Sequence, residues 1–362
     1  MKKLNYKLII LFLLSIFSII FTYNDYFLYK NPILKVDNID NVVQESTING
    51  EKYYNQLITG TIMNGKYKGN TLTVKNTASS SSVYGDMIRE NSELFVEIST
   101  DGTKAIRITN IKRDKYLVIL LVIFIDLIIV TAGKKGLKTL GSLLGNIIIT
   151  GIAIFTFKNN YKTLNMLLLY FIVSIIFIIF SLYITNGKGK KTLSAIVSSI
   201  ASLFISFGLS FLLIKIYGKD ISIWTMEYIE VVYDYENFFY VSILLCGLGA
   251  IMDIAITISS SLNELIVKNP KIDRVSLLNS GKEISKDIVG TMINVMLYTC
   301  YTPVIPTVLL AVKNNITIAN AISLYGNLEL IIVLCSCISI VLTIPISLYI
   351  SVFILHKTEV KK

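Results

Sequence analysis

Residues 164–185 read LNMLLLYFIVSIIFIIFSLYIT, a run without a single charged side chain. At about 1.5 Å per residue, a helix of this length crosses the ~30 Å hydrocarbon core of a bilayer. Buried helices of soluble proteins are rarely apolar over so many consecutive residues. The run therefore predicts a transmembrane helix.

Similar runs recur along the 362-residue chain, in which 53% of residues are hydrophobic and 16% are charged. An ordinary soluble domain has about 25% charged residues. The other runs lie at residues 8–22, 116–132, 141–157, 193–217, 238–258, 289–312 and 328–355. Together they predict an all-α polytopic membrane bundle with about eight transmembrane helices.

The first run, residues 8–22, is short and follows a basic start. Either a signal peptide or a short anchor has such a length. No small residues of the A-x-A kind precede a cleavage point, since the run ends Phe21-Thr22-Tyr23-Asn24-Asp25. We therefore predict an uncleaved N-terminal transmembrane anchor over residues 1–23.

Residues 24–115 have a different character, being polar and rich in Asn, Thr, Ser and Tyr. Apolar side chains alternate with polar ones, as at Leu94, Val96 and Ile98, which is typical of half-buried strands. The strand-like segments are residues 56–63, 70–75, 92–99 and 104–111, and Asn64-Gly65 is a turn signal. We predict a small β-rich extracytoplasmic domain of four or five strands between helices 1 and 2. Residues 116–362 then form a seven-helix transmembrane bundle with a cytoplasmic loop at 262–288.

Lys and Arg set the predicted orientation, because cytoplasmic connections carry an excess of them. In an eight-span topology, most of these cations lie in connections on one side of the membrane. They cluster before residue 8, at 133–140, at 186–192, at 268–286 and after residue 356. This pattern predicts that both termini are cytoplasmic and that residues 24–115 lie outside.

Polar side chains recur at helical spacing along one face of the sixth and seventh spans. A charge at lipid depth costs several kcal/mol, so we expect these faces to point inward. The stripe predicts either an ion or substrate path or a buried seam that only fixes helix register. Its members are Asp253, Thr257, Ser260, Glu264, Asp287, Thr291 and Asn294.

Other features of the spans concern packing and a second acid. Gly247, Gly249 and Gly290 would let another helix approach closely. Asp126 is a second acid inside a predicted span, and Asn146 of the next span is a candidate partner for it.

A further polar stripe runs along the fifth span, in which serines recur at every fourth position from Ser194 to Ser210. Small residues at this spacing favour close helix packing, and a polar conduit is the alternative interpretation.

Several classes of function lack support in the sequence. The net charge of +10 is explained by cations at helix ends, so we predict no nucleic-acid partner. The chain has one histidine and four cysteines without ligand spacing, so we predict no metal and no cofactor. No P-loop, nucleophile elbow or paired-carboxylate motif occurs, so we predict that the chain is not an enzyme.

Three segments of this sequence resemble the YibE/F-like family of bacterial multipass membrane proteins. They are residues 247–260 (GLGAIMDIAITISS), 279–281 (NSG) and 287–294 (DIVGTMIN). The segments around Gly65 and Gly69, after Asp114, and at 134–140 are also similar to that family. The resemblance covers nearly the whole chain and implies a bacterial plasma-membrane location. It assigns no biochemical activity.

Two functional hypotheses follow from these observations. The first is a secondary transporter or permease component, because polar residues line spans six and seven and prolines interrupt span seven. Its partners would be the lipid bilayer and an ion or small solute of unknown identity. The second is a non-transporting scaffold or accessory subunit whose external domain binds a protein partner. A water-accessible Asp253 favours the first hypothesis, and an Asp253 sealed by hydrogen bonds favours the second.

Overall fold

The computed structural model describes residues 2–44, 52–80, 82, 85–99, 102, 105–160, 163–217 and 235–356. The chain divides into two compact units, Met1–Gly136 and Leu137–Lys362, and each is described by itself below. Part of the predicted charge pattern, at residues 218–234 and 357–362, lies outside the described residues.

The first unit begins with helix α1, Lys2–Tyr23, and a short 3₁₀ turn, Asp25–Leu28. An antiparallel five-stranded sheet follows, with strand order β3-β2-β1-β4-β5. Alternate side chains of the sheet form one core in which Leu34, Ile58 and Leu94 are fully buried. The strands are β1 (Ile33–Gln44), β2 (Tyr53–Ile62), β3 (Thr71–Ser79), β4 (Glu93–Ile98) and β5 (Ala105–Ile111).

Four of these strands correspond to the segments with alternating side chains, whereas β1 was not predicted. Its pairing with β2 shifts register between Val36 and Asn38, at a β-bulge. A bulge adds one residue to a strand and so interrupts the period-two alternation by which strands are found in a sequence.

The turn between β2 and β3 is held by a buried asparagine, at the predicted Asn64-Gly65 turn. The Asn64 side chain donates to the carbonyl oxygens of Tyr29 and Asn31, at 2.8 and 3.0 Å, and accepts from the Ile33 amide at 2.7 Å. Gly65 has a φ of 76°, a conformation that glycine adopts without strain. One side chain therefore joins the turn to the segment that enters β1.

Replacing Asn64 with alanine should destabilise the sheet by roughly 1–3 kcal/mol, because three backbone groups lose their partner in a buried place. Thermal unfolding of the full chain in detergent, followed by protease digestion of the β domain, measures the loss. Asn70→Ala is the matched control, since Asn70 is exposed at the end of the same turn. Equal stability of the two variants would contradict this role of Asn64.

Helix α2, Asp114–Asn160, is interrupted at Gly133, where φ is 56° and ψ is −127°. In a straight helix, residues 128 and 136 lie about 12 Å apart along the axis. Here a Cβ added to Gly136 would lie 2.5 Å from the carbonyl oxygen of Ile128. The chain therefore folds back on itself at Gly133.

The second unit is helical and is organised around its last helix. Helix α10 packs against α4, α6 and α7, and α4 also packs against α6. One apolar core lies among α6, α7 and α10, and another among α3, α4, α5 and α6. The helices are α3 (Met166–Asn186), α4 (Lys190–Tyr217), α5 (Tyr235–Cys246), α6 (Leu248–Lys268), α7 (Arg274–Tyr301), α8 (Val304–Lys313), α9 (Ile318–Tyr325) and α10 (Asn327–His356).

Segment 262–288 contains the end of α6, a turn at residues 269–273 and the first half of α7. Asp273 caps α7 by accepting hydrogen bonds from the amides of Val275 and Ser276. At the other end of α7, the chain bends by 46° between Tyr301 and Val304, where Pro303 stands.

Among the described residues, five helical segments are long and apolar enough to cross a membrane, and α7 with α8 makes a sixth if the bent pair counts as one span. The segment Ile10–Tyr23 is apolar but shorter. The predicted combination of apolar helices with a β-rich domain in the N-terminal part of the chain is confirmed, and the sheet of that domain is antiparallel. This count does not reach the predicted number of about eight spans. The whole of α2 is counted as one span, and α1 is not counted because its apolar segment is too short.

Candidate functional site

The predicted polar stripe on α6 lies on the exposed face of that helix. Asp253, Thr257 and Glu264 are exposed, and Ser260 is half-buried. The opposite face of α6 is apolar and packs into the core through Ile254, Ile258 and Leu262, among others. The core therefore contains the apolar face, and the expectation that the stripe points into the interior of this unit is wrong.

The matching residues of α7 are placed in the same way. Asp287, Thr291 and Asn294 are exposed, whereas Leu277 and Met296 of the same helix are buried. Two contacts fix the antiparallel register of α6 and α7. A Cβ on Gly281 would lie 3.1 Å from a Leu262 side-chain carbon, and the sulfur atoms of Cys246 and Cys300 are 3.0 Å apart.

This register brings part of the stripe to one level of the two neighbouring helices. Leu262 of α6 lies opposite Gly281 of α7, and the two helices run antiparallel. Asp253 is nine residues before Leu262, and Gly290 is nine residues after Gly281, so these two residues lie at the same level. Thr291 is at nearly that level too, and Asn294 is within one helical turn of it. Glu264 and Ser260 lie nearer the turn at residues 269–273. The structure thus places one carboxylate, one amide and one hydroxyl at a similar level on the exposed faces of two neighbouring helices.

The Asp253 carboxylate accepts no hydrogen bond from another side chain within the described part of the chain. The neighbouring hydroxyl groups form hydrogen bonds within their own helices. Thr257 donates to the Asp253 carbonyl oxygen at 2.6 Å, and Thr291 donates to the Ile288 carbonyl oxygen at 2.9 Å. An acid without a partner at lipid depth is costly, so it needs water, a bound cation or a proton. The arrangement is suited to binding a cation or a proton.

The three glycines predicted to aid packing differ in their surroundings. A Cβ on Gly247 would lie 3.5 Å from the Ser339 Cβ, so the break between α5 and α6 lies close to α10. Gly249 and Gly290 face open space, with no atom within 4 Å of an added Cβ. These two glycines leave the surface around Asp253 uncrowded.

The second intramembrane acid, Asp126, has a partner that was not predicted. The Ser15 hydroxyl of α1 is 3.0 and 2.8 Å from the two carboxylate oxygens of Asp126 in α2. Asn146 belongs to the other unit, and its buried side-chain oxygen has no hydrogen-bond partner among the described residues. The pairing of Asp126 with Asn146 stays a prediction.

A buried charged cluster lies at the base of the β domain, and it was not predicted. Lys112 is 1% exposed, and its ammonium group is 2.8 Å from Asp25, 3.3 Å from Glu93 and 3.0 Å from Asp114. It also donates to the Thr22 carbonyl oxygen at 3.4 Å. Lys112 therefore connects the exit of α1, strand β4 and the start of α2, and we call this group the Lys112 cluster.

Two tyrosines also belong to the Lys112 cluster, as does Lys115, whose ammonium group is 3.5 Å from Glu93. Tyr26 donates to Glu93 at 2.8 Å and Tyr29 to Asp114 at 2.7 Å, while both rings lie about 5.5 Å from the Lys112 ammonium group. Burial, followed by the hydrogen bonds to these carboxylates, raises the pKa of each tyrosine to about 12. The hydroxyls therefore stay protonated and remain donors at neutral pH.

The charges of the Lys112 cluster are strongly perturbed. Burial raises the pKa of Asp25, against the opposing effect of its hydrogen bond with Lys112. Burial alone would lower the pKa of Lys112, but the bonds to Asp25 and Asp114 outweigh it and raise that pKa. Lys112 is thus held as a cation among three carboxylates. Among the described residues, no group of three or more His, Cys, Asp or Glu is arranged to hold a metal.

The apolar helices and the β domain define a multipass helical membrane protein. Comparison with known families gives a more particular assignment. The YibE/F-like protein family matches residues 120–357, and the YibE/F family N-terminal domain matches residues 27–113. The chain belongs to the YibE/F family. No curated protein and no solved structure matches it.

Proposed function

We propose that this chain is a bacterial plasma-membrane protein that carries an ion or a small polar solute through the face formed by α6 and α7. We further propose about eight spans, with both termini cytoplasmic and the β domain outside. In this topology α2 makes two spans, and α1, α3, α4, α5 with α6, α7 with α8, and α10 make one each.

Two properties of α2 support its assignment as two spans. Its 47 residues would extend for about 70 Å as a straight helix, more than twice the ~30 Å hydrocarbon core. The reversal at Gly133 divides it near Lys134 and Lys135, whose charges are best placed at a membrane surface.

The orientation can be measured by labelling single cysteines, in a chain whose four native cysteines are replaced by serine. Lys66→Cys, at an exposed turn of the β domain, should react with a membrane-impermeant maleimide in intact cells. Gly189→Cys, at the exposed turn before α4, should react only after the membrane is permeabilised. The reverse pattern would overturn the proposed topology.

The observation that carries the transport proposal is the state of Asp253. A purely structural acid would be sealed by hydrogen bonds from neighbouring helices. Here its carboxylate is exposed and lacks a side-chain partner among the described residues, at the level of Thr291 and Asn294. An open carboxylate can bind and release a cation or a proton, as a transport cycle requires.

The direct experiment is flux into proteoliposomes that contain the purified full-length chain. Protons, sodium, potassium and divalent cations are tested one at a time with ion-sensitive dyes, and small neutral solutes with radiolabel. We expect one of them to enter faster than in protein-free vesicles. Failure of every ion and solute to do so would remove the transport proposal.

The second candidate function is a scaffold whose β domain binds a protein partner. It is favoured by an open groove of about 490 Å³ at the exposed side of β4 and β5. Tyr29, Asn31, Phe95 and Asn110 line it, and aromatic side chains are enriched in protein–protein interfaces. Absence of flux together with capture of a partner that is lost on Phe95→Ala would favour this function.

A further inference from the structure

Helices α4 and α10 meet along side chains that carry hydroxyl groups. Each helix contributes five such residues, none of them more than 5% exposed. We call this set the hydroxyl ladder. It consists of Ser194, Ser198, Ser202, Ser206 and Ser210 of α4, and Ser336, Ser339, Thr343, Ser347 and Ser351 of α10.

The two halves of the ladder run antiparallel and in register. Ser194 and Ser351 are hydrogen-bonded at 2.9 Å at one end, and Ile214 and Cys335 belong to one apolar cluster at the other. Stepping four residues forward on α4 and four back on α10 pairs Ser198 with Ser347 and Ser202 with Thr343. From Ser194 to Ser210 the ladder rises about 24 Å, most of the ~30 Å thickness of the hydrocarbon core.

Some hydroxyls of the ladder are satisfied within the protein. Ser194 and Ser351 form a triad with Ser259 of α6, at 3.2 and 2.8 Å. Thr343 donates to the Ser339 carbonyl oxygen at 2.6 Å, in the usual manner of a helical hydroxyl. Ser336 and Ser339 do the same with the residues four before them.

Other hydroxyls of the ladder are unpaired. The side-chain oxygens of Ser198, Ser202, Ser210 and Ser347 are buried, and none has a hydrogen-bond partner among the described residues. An unpaired buried hydroxyl costs about 1–3 kcal/mol, and alanine would pack the same two helices without that cost. Adjacent unpaired donors and acceptors are the usual environment of internal water, which makes about three hydrogen bonds to such groups.

We propose that the hydroxyl ladder binds a file of water molecules and gives protons a polar path along α4 and α10. Each hydroxyl or water oxygen accepts a proton from one neighbour and passes another onward, so that no net chemical change remains in the protein. The ladder lies on the buried side of α6, which contributes Ser259, whereas the exposed face carries Asp253. The path is therefore separate from the cation site proposed above.

The test measures proton flux into proteoliposomes containing the full-length chain, with a pH-sensitive dye inside and a potassium diffusion potential set by valinomycin. Wild-type protein should conduct protons above the rate of protein-free vesicles. The double variant Ser198→Ala, Ser202→Ala keeps the packing but removes two central hydroxyls, and its flux should fall to that of protein-free vesicles. Ser174→Ala is the matched control, since Ser174 is equally buried in α3 and donates to the Tyr170 carbonyl oxygen.

A second measurement separates a hydrated ladder from a dry serine seam. If water bridges these hydroxyls, Ser202→Ala should lower the thermal unfolding temperature, because bound water loses a partner. In a dry seam the same change removes an unpaired polar group and should leave the temperature unchanged or raise it. No proton flux in the wild type, equal flux in the double variant, or an unchanged or raised unfolding temperature would each overturn the proposal.

Discussion

Replacing Lys112 with methionine should destabilise the first unit by roughly 3–5 kcal/mol, the cost of leaving buried carboxylates without their cation. Methionine has nearly the length of lysine, so packing changes little and the effect reports the lost charge. Asp25 and Glu93 would keep side chains that are only 6 and 4% exposed, now close together and without Lys112. Thermal unfolding of the full chain in detergent, with digestion of the β domain as the readout, measures the loss.

The pH dependence of the Lys112→Met variant provides a further check. Burial raises the pKa of Asp25, so its folded form binds a proton more tightly than the unfolded chain does. Acidification therefore favours folding of the variant, and part of the lost stability should return as the pH falls toward the ordinary pKa of carboxyl groups. Lys75→Met, on an exposed face of β3, should show neither the loss nor the recovery.

If the Lys112→Met variant is stable at neutral pH, the three carboxylates must form other ion pairs or become protonated at little cost in free energy. The cluster would then not hold the junction together. Adding Glu93→Gln to Lys112→Met should also restore part of the stability, since it removes one of the repelling charges.

Replacing Asp253 with asparagine should abolish flux of the transported ion while leaving the amount of protein in the membrane unchanged. Asparagine keeps the shape and hydrogen-bonding groups of the aspartate but can neither hold a negative charge nor exchange a proton. Because Asp253 lies on an exposed face without a side-chain partner among the described residues, the substitution should not disturb the apolar core around Ile254 and Ile258.

The measurement is flux of the ion that the wild type carries, normalised to membrane abundance determined by immunoblot. Glu90→Gln is the control for converting an acid to an amide, since Glu90 is exposed in the β domain. Asp253→Glu should keep part of the activity. Normal flux through Asp253→Asn would exclude the carboxylate from transport and remove the main support for a transport function.

The sequence predicted the features that depend on local patterns. Uncharged runs such as residues 164–185 predicted apolar helices, because length and composition alone decide whether a helix can cross a bilayer. The alternation of apolar and polar side chains, with Leu94, Val96 and Ile98 as the apolar ones, predicted β4. Strand β1 was missed because the irregular pairing after Val36 breaks the alternation on which the prediction depended.

The sites depended on contacts between distant residues, and there the sequence was less informative. Helical spacing grouped Asp253 with Thr257 and Asp287 with Thr291, but the direction of these faces depends on which other faces fill the core. The Lys112 cluster joins Asp25, Glu93 and Asp114 from separate elements. Charges beside predicted spans were visible in the sequence, but their convergence on one lysine requires the folded sheet.

The hydroxyl ladder also bears on how α10 could move. Its α4 half repeats serine at every fourth residue, and its α10 half from Ser339 to Ser351 has the same spacing. Sliding α10 along α4 by one helical turn would place Ser351 or Thr343 opposite Ser198, in place of Ser347. The central layers of facing hydroxyl groups therefore have nearly the same composition in two registers, and the change falls on the end layers. The spacing of the ladder would therefore accommodate a one-turn shift of α10 along α4, the kind of step by which packed helices switch between discrete states.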